Sequence, residues 1–230
     1  MRNSFLNKNS KDFIALVPAY NEAGTIGQII AEIKNYLDKV IVVDDGSLDN
    51  TREEAEKAGA IVLKHNKNLG KGAALKTGFE YILKNFPETQ AVITLDADGQ
   101  HNPNEIPKFI EAFNKTGADL ILGERLINRT KMPFLRRAGN TFFSWLISLR
   151  IGQKISDSQT GFRLISKRFL EKSNFKSDSY GIETEVLLSA PQDGFQIKTI
   201  PTSTIYLKDR KRSSFLKDIK IITSIFREIV

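Results

Sequence analysis

Two aspartates one residue apart, Asp96 and Asp98, close the apolar run Ala91-Val-Ile-Thr-Leu95 and are followed at once by Gly99 and Gln100. The run is short, partly β-branched and nearly unbroken, as in a strand covered on both faces. Side chains two apart on an extended chain point the same way, so both carboxylates aim at one place just beyond the strand. Hard carboxylates in that arrangement suit Mg2+ or Mn2+, which take one or two protein carboxylates and complete their shell with substrate phosphate oxygens. The competing reading is an Asp-rich turn, since Asp and Gly are ordinary turn formers. A second acidic pair, Glu183 and Glu185, lies near a helix start, where attraction to the helix dipole would also explain it.

The cations are unevenly placed. The chain carries a formal net charge of +7, and from Arg125 to Ser156 it has no acidic residue at all. That interval holds Arg125, Arg129, Lys131, Arg136, Arg137, Arg150 and Lys154 among Phe134, Phe142, Phe143, Trp145 and Ile147. Such a mixture fits an anionic membrane surface or an acidic lipid headgroup. Nucleic acid is disfavoured as the partner because the aromatics group at helical spacing. A later run, Lys208 to Arg212, is interrupted only by Asp209; it reads either as a solvated loop or as an arginine folding over a diphosphate. Gly70-Lys71-Gly72 matches neither a Rossmann nor a phosphate-loop pattern and reads as a tight loop with close backbone packing. His65 reads as a strand-end residue and His101 as a supporting or solvated one. With two histidines and no cysteine, a His- or thiolate-based metal site is not expected.

The elements that must position these groups alternate regularly. Strands are expected at 13–17, 40–43, 61–63, 91–95 and 118–122. Helices are expected from Ile26 to Leu37, from a cap at Asp49 or Asn50 to Gly59, from Gly72 to about Asn85, and from Pro103 to about Lys115. That order predicts an α/β fold with a mostly parallel, Rossmann-like sheet flanked by helices, whose ligands gather at the carboxyl ends of the strands. Further on, a helix is expected over 134–149, a turn-rich segment over 156–163, a helix over 182–190, strands over 195–200 and 204–207, and an amphipathic helix from Phe215. The 230 residues, 40% hydrophobic, suit one domain with a nucleotide-binding half at about 13–125 and an acceptor- and membrane-facing half at about 126–230. The amino terminus lacks the apolar core of a signal peptide, and no stretch reaches the roughly 18 apolar residues of a span.

Taken in order, Pro18-Ala-Tyr-Asn-Glu22, Asp44-Asp45-Gly46-Ser47, Asp96-Ala-Asp98-Gly-Gln100, Gly123-Glu-Arg125 and Gln159-Thr-Gly-Phe-Arg163 resemble the successive motifs of family 2 glycosyltransferases with the glycosyltransferase-A fold. Within that group the likeness is to dolichyl-phosphate mannose synthases and related polyprenyl-phosphate sugar transferases. The resemblance implies that Pro18, Tyr20, Glu22, Val43 and Asp45 hold the nucleoside of a sugar nucleotide, and that Asp96, Ala97 and Asp98 meet its diphosphate. It implies Asp96, Asp98 and Gln100 as metal ligands and Arg125 beside the donor and acceptor phosphates. Arg137 with Asn140 or Thr141 resembles the helix that receives the lipid phosphate, and Arg210 to Arg212 with Lys217 the segment that closes over the donor. Here Arg212-Ser213-Ser214-Phe215 stands where the family has a Gly-x-Ser-Lys-like turn, so Arg210 and Arg212 stay alternatives, and the family's serine near the acceptor phosphate has no clear match.

The activity so implied is metal-dependent, inverting transfer of mannose or glucose from a nucleoside-diphosphate sugar, GDP-mannose favoured over UDP-glucose, to a polyprenyl phosphate. The expected place is the cytoplasmic side of a membrane, with the chain bound peripherally. A phosphate monoester, with a second pKa of about 6, needs no base. A saccharide hydroxyl as acceptor would need one, and Asp157 or Glu183 is then the candidate. A sugar nucleotidyltransferase could also use strand-end aspartates, but would carry a basic Gly-rich loop after its first strand, where this chain has Pro-Ala-Tyr-Asn-Glu. A non-catalytic membrane module leaves the converging aspartates without purpose.

Overall fold

The computed structural model describes residues 12–125, 134–173, 175, 181–203 and 205, with the helix backbone alone for 134–140, 192 and 193. Seven strands form one sheet: β1 (Phe13–Ala19), β2 (Lys39–Asp44), β3 (Ile61–Lys64), β4 (Ala91–Thr94), β5 (Leu120–Arg125), β6 (Arg163–Ser166) and β7 (Ile197–Thr202), in the order β3-β2-β1-β4-β6-β5-β7. β1 pairs in parallel with β2 and β4, β2 with β3, and β5 with β7. β6 runs antiparallel to both neighbours, β4 and β5.

Alternation along β1 sorts the core into two layers. Phe13, Ala15 and Val17 face one side of the sheet, where they pack with Ile26, Ile29, Ile30 and Ile33 of α1 (Ile26–Ile33) and with Ile106, Phe109 and Ile110 of α4 (Ile106–Thr116). Ala55 of α2 (Thr51–Lys57) joins the same layer. Ile14 and Leu16 face the other side, against Ala74, Leu75, Phe79 and Ile82 of α3 (Lys71–Asn85). That layer continues into Ile147 of α5 (Phe134–Ile151), Phe169 and Leu170 of α6 (Lys167–Lys172), and Ile182, Val186 and Leu187 of α7 (Ile182–Ser189). At Gly78 a Cβ would stand 2.2 Å from Leu16 Cδ1, so only glycine lets α3 lie this close to β1.

Three elements depart from the periodicity. α1 stops at Ile33 because its final turn tightens: Tyr36 N–H bonds the Ile33 carbonyl at 2.9 Å, and Leu37 reaches the core from that turn. α6, not expected, is set off by Ser166, whose hydroxyl accepts from Phe169 N–H at 3.1 Å. Pro103 opens a 3-10 turn, 103–105, before α4 begins. Among the described residues no helix is long and apolar enough to cross a membrane. The strand expected at 204–207 and the helix expected from Phe215 lie outside the described residues.

From β1 the chain crosses to β2 on one side, while β4 lies on the other side of β1. The carboxyl ends of β1 and β4 therefore flank a topological switch point, where an open α/β sheet leaves a crevice for a ligand.

Candidate active site

Asp96 leaves β4 into that crevice and meets Lys71 of α3, whose Nζ lies 2.5 Å from Asp96 Oδ1 and 2.6 Å from Glu183 Oε1 at the start of α7. Sequence reasoning missed this lysine, assigning Gly70-Lys71-Gly72 to backbone packing. A signal was present, since a cation in the first turn of a helix opposes the macrodipole and needs facing carboxylates. Glu183, expected as a possible dipole partner, is a buried ion-pair partner instead. His101 is buried and stacked on Phe162 at 5.3 Å, and its Nδ1 accepts from Asp96 N–H at 3.1 Å. Burial pushes His101 down to about 4, leaving a neutral ring at physiological pH. Burial pushes Asp96 up, but Lys71, His101 and Arg125 outweigh it and bring its carboxyl to about 2. Asp98 has burial and the Asp96 charge against it and rises to about 6. Its Oδ1 accepts from Gln100 N–H at 3.0 Å, and the Gln100 carbonyl accepts from Ile205 N–H at 3.0 Å. Gln100 thus anchors the motif by its backbone. Ala97 is buried, and its carbonyl accepts from Thr25 Oγ1 at 2.7 Å.

Behind Asp96 stands Gly161 of Gln159-Thr-Gly-Phe-Arg163. A Cβ there would lie 2.5 Å from each Asp96 carboxylate oxygen, so the position admits only glycine unless the carboxylate moves. Gly161→Ala should leave the circular dichroism spectrum unchanged and lower turnover about 10²-fold, the scale set by displacing a positioned group by roughly 1 Å. Turnover within threefold of the parent would show that Asp96 has room to shift harmlessly.

The loops after β1 and β2 form one braced rim. Asn21, at φ 57°, donates its N–H to Ser47 Oγ at 2.9 Å and accepts from Leu48 N–H at 2.8 Å through its side chain. Glu22 N–H bonds Thr51 Oγ1 at 2.7 Å, and Ala23 N–H bonds Asp49 Oδ2 at 3.2 Å. Tyr20 stands 40% exposed on this rim beside partly buried Pro18 and Glu22. Two residues expected at the nucleoside lie deeper than this rim. Val43 is fully buried in the core. Asp45 is buried with its oxygens on Leu69 N–H (2.9 Å), Gly70 N–H (2.8 Å) and His65 Nδ1 (2.7 Å). It fixes the turn into α3, and so the start of the helix that carries Lys71. His65 also meets Thr77 Oγ1 through Nε2 at 3.0 Å.

Across the crevice, Arg125 at the end of β5 grips buried Asp157 with two hydrogen bonds, Nε to Oδ2 at 2.5 Å and Nη2 to Oδ1 at 3.0 Å. Arg163 is fully buried and donates to the carbonyls of Thr160 (2.7 Å), Ser158 (2.8 Å) and Glu183 (2.7 Å). It ties the turn that carries Asp157 and Gly161 to the start of α7. Ser144 of α5 holds the same turn, accepting from Ser158 N–H at 3.0 Å. Thr141 lies exposed on α5. The side chains of Arg137 and Asn140, and all of Arg210, Arg212 and Lys217, lie outside the described residues.

Asp96, Asp98, Lys71, Glu183, Arg125 and Asp157 are therefore drawn from five separate elements to one end of the sheet. Among the described residues no three His, Asp or Glu side chains are grouped to hold a metal unaided. The donor set still fits one. Two hard carboxylates, one of them resisting ionisation beside the other, suit a divalent cation whose remaining ligands are phosphate oxygens and water.

Residues 14–173 match the family model described as glycosyl transferase family 2. A UDP-N-acetylglucosamine–dolichyl-phosphate N-acetylglucosaminyltransferase of Methanococcus voltae is 32% identical over 83% of this chain and 84% of its own length. A dolichyl-phosphate hexose transferase of Haloferax volcanii is 31% identical over 83% of this chain and 81% of that protein. Among solved structures, glucosyl-3-phosphoglycerate synthase of Mycobacterium tuberculosis with Mn2+, UDP and glucosyl-3-phosphoglycerate superposes with a TM-score of 0.74 at 19% identity, covering 100% of this chain and 84% of that one. The strand order, the aspartates at the switch point and these likenesses agree: this chain belongs to family 2 of the glycosyltransferases and has their glycosyltransferase-A fold.

Proposed function

We propose that this glycosyltransferase moves a hexose from a nucleoside-diphosphate sugar onto a polyprenyl phosphate at the cytoplasmic surface of a membrane. The observation that carries this reading is the pairing of both candidate bases. Asp157 is held by Arg125 and Glu183 by Lys71, so neither carboxylate stands ready to take a hydroxyl proton. A phosphate monoester has a second pKa of about 6 and attacks without one. Among the described residues Arg125 gives two guanidinium N–H groups to Asp157, and a guanidinium, with five such donors, suits a phosphate as well. Asp96 and Asp98 would hold Mg2+ or Mn2+, with Gln100 at the same turn, and the ion when bound supplies positive charge to the departing diphosphate. The Tyr20–Glu22 rim would bind the nucleoside, with Asp45 and Val43 acting from behind it.

A stripe on α5 supports the membrane. Phe142, Trp145 and Leu149 are 49%, 54% and 63% exposed at helical spacing, close to Thr141 and Arg150. Such an apolar face beside cations suits the headgroup boundary. The names of the similar proteins from Methanococcus and Haloferax include dolichyl phosphate, in keeping with this acceptor. GDP-mannose is the favoured donor, and UDP-linked hexoses are the alternative that the Methanococcus protein's name brings forward.

The test is to incubate the protein with Mn2+ or Mg2+, GDP-mannose or UDP-sugars, and a polyprenyl phosphate in vesicles. An organic-soluble glycolipid is expected. At saturating donor, Asp157→Asn and Glu183→Gln should keep turnover within about tenfold of the parent, whereas loss of a true base costs on the order of 10² to 10⁴. A collapse of that size with substrate binding intact would replace the lipid phosphate by a saccharide hydroxyl.

A further inference from the structure

The reading above uses Lys71 only as the partner of Glu183, yet the fold goes to some length to place it beside Asp96 as well. It opens α3, where the helix dipole disfavours a cation. Its side chain is only 17% exposed, and its ammonium bridges Asp96 and Glu183, residues brought together from β4 and α7. The turn that delivers it is itself pinned by the buried Asp45 through Leu69 and Gly70 N–H. Asp96 Oδ1, 2.5 Å from the ammonium, belongs to one of the two carboxylates assigned to the divalent cation.

We infer that Lys71 is a built-in competitor for that cation, one that makes metal loading depend on the donor's diphosphate. This rests on the reading that Asp96 and Asp98 hold the ion. With ordinary oxygen–metal and hydrogen-bond lengths, an ion on Asp96 sits within roughly 5 Å of an ammonium on the same carboxylate. Repulsion between a double and a single charge at that range, even with the full screening of bulk water, weakens binding by about tenfold or more. A nucleoside diphosphate reverses the balance, because its own negative charges offset both cations and give the ammonium a second place to turn. Metal and nucleotide then strengthen each other's binding, and by linkage they do so equally. The enzyme would thereby take up its ion together with the donor and release it with the nucleoside diphosphate after transfer.

The measurement is Mn2+ binding to the full chain, followed by electron paramagnetic resonance of the unbound ion, with and without GDP or UDP. Binding lost in Asp98→Asn defines the site. Lys71→Met should bind Mn2+ alone about tenfold or more tightly than the parent, and the gain on adding nucleotide should shrink by a similar factor. A lysine that merely braces the carboxylates predicts the opposite sign, with weaker metal binding once it is removed. Glu183→Gln leaves the ammonium to Asp96 alone and should loosen Mn2+, which keeps the inference testable should Lys71→Met fail to fold. Unchanged or weaker affinity in folded Lys71→Met, or unchanged affinity in Glu183→Gln, overturns it while leaving the metal reading intact. If the parent shows no Asp98-dependent Mn2+ binding even with nucleotide, the metal reading itself fails and the inference with it.

Discussion

Asp98→Ala should lower sugar transfer by about 10³-fold, the upper part of the range for removing one preorganised electrostatic contribution to a charged transition state, and should abolish the Mn2+ dependence of nucleotide binding. The effect is large because the site has no carboxylate to spare: among the described residues no three His, Asp or Glu side chains are grouped to hold a metal. Stability should move the other way. Burial and the neighbouring Asp96 charge already disfavour an ionised Asp98, so with a chelator present the variant should melt no lower than the parent. Calorimetric titration with the nucleotide, in Mn2+ and in chelator, reads both effects. Nucleotide affinity in Mn2+ that matches the parent would remove Asp98 from the metal site.

Arg125→Met should be costly twice over. Asp157 is buried and gripped by two guanidinium hydrogen bonds, and stripping the partner from a buried carboxylate costs about 3–5 kcal/mol. Transfer should fall about 10²-fold or more, chiefly as a raised KM for the acceptor, because a phosphate loses its charge-assisted, forked donor. Adding Asp157→Asn to this variant separates the two effects. It removes the buried charge that Arg125 balanced, so urea unfolding should recover most of the lost stability, while transfer stays low. Recovery of activity along with stability would reduce Arg125 to a structural residue.

The parts of this molecule that could be read from the sequence are those whose signal is local. β1, β2 and β4 are buried on both faces and so appear as unbroken apolar runs, and Asp-x-Asp follows one of them directly. β6 was not legible as an antiparallel strand. Its four residues, Arg163–Ser166, hold no period, and their partners in β4 and β5 lie far back along the chain. Gly161 could be seen as part of a turn, but the demand for glycine comes from Asp96 across the crevice. Asp45 is visible in the sequence as part of a motif, but its carboxylate is engaged by backbone N–H groups of residues 69 and 70, partners that no spacing rule names. Lys71 was the costliest omission. Motif templates test a lysine against phosphate loops, whereas its value here comes from two carboxylates on other elements.

The reversed strand β6 also bears on how the chain is made. β4 has β1 on one side from the moment it is synthesised, but its other edge waits for Arg163–Ser166. β5 waits for the same four residues on one side, and for Ile197–Thr202 on the other. On the ribosome the first half can therefore assemble around β1 while an apolar strand edge next to Asp96 stays open until Ser166 has emerged. Pairings of such long sequence separation form slowly, and open edges of this kind invite association between nascent chains. Slowing translation once Ser166 has left the ribosome would give β6 time to insert, and truncation before Arg163 should yield a chain that aggregates.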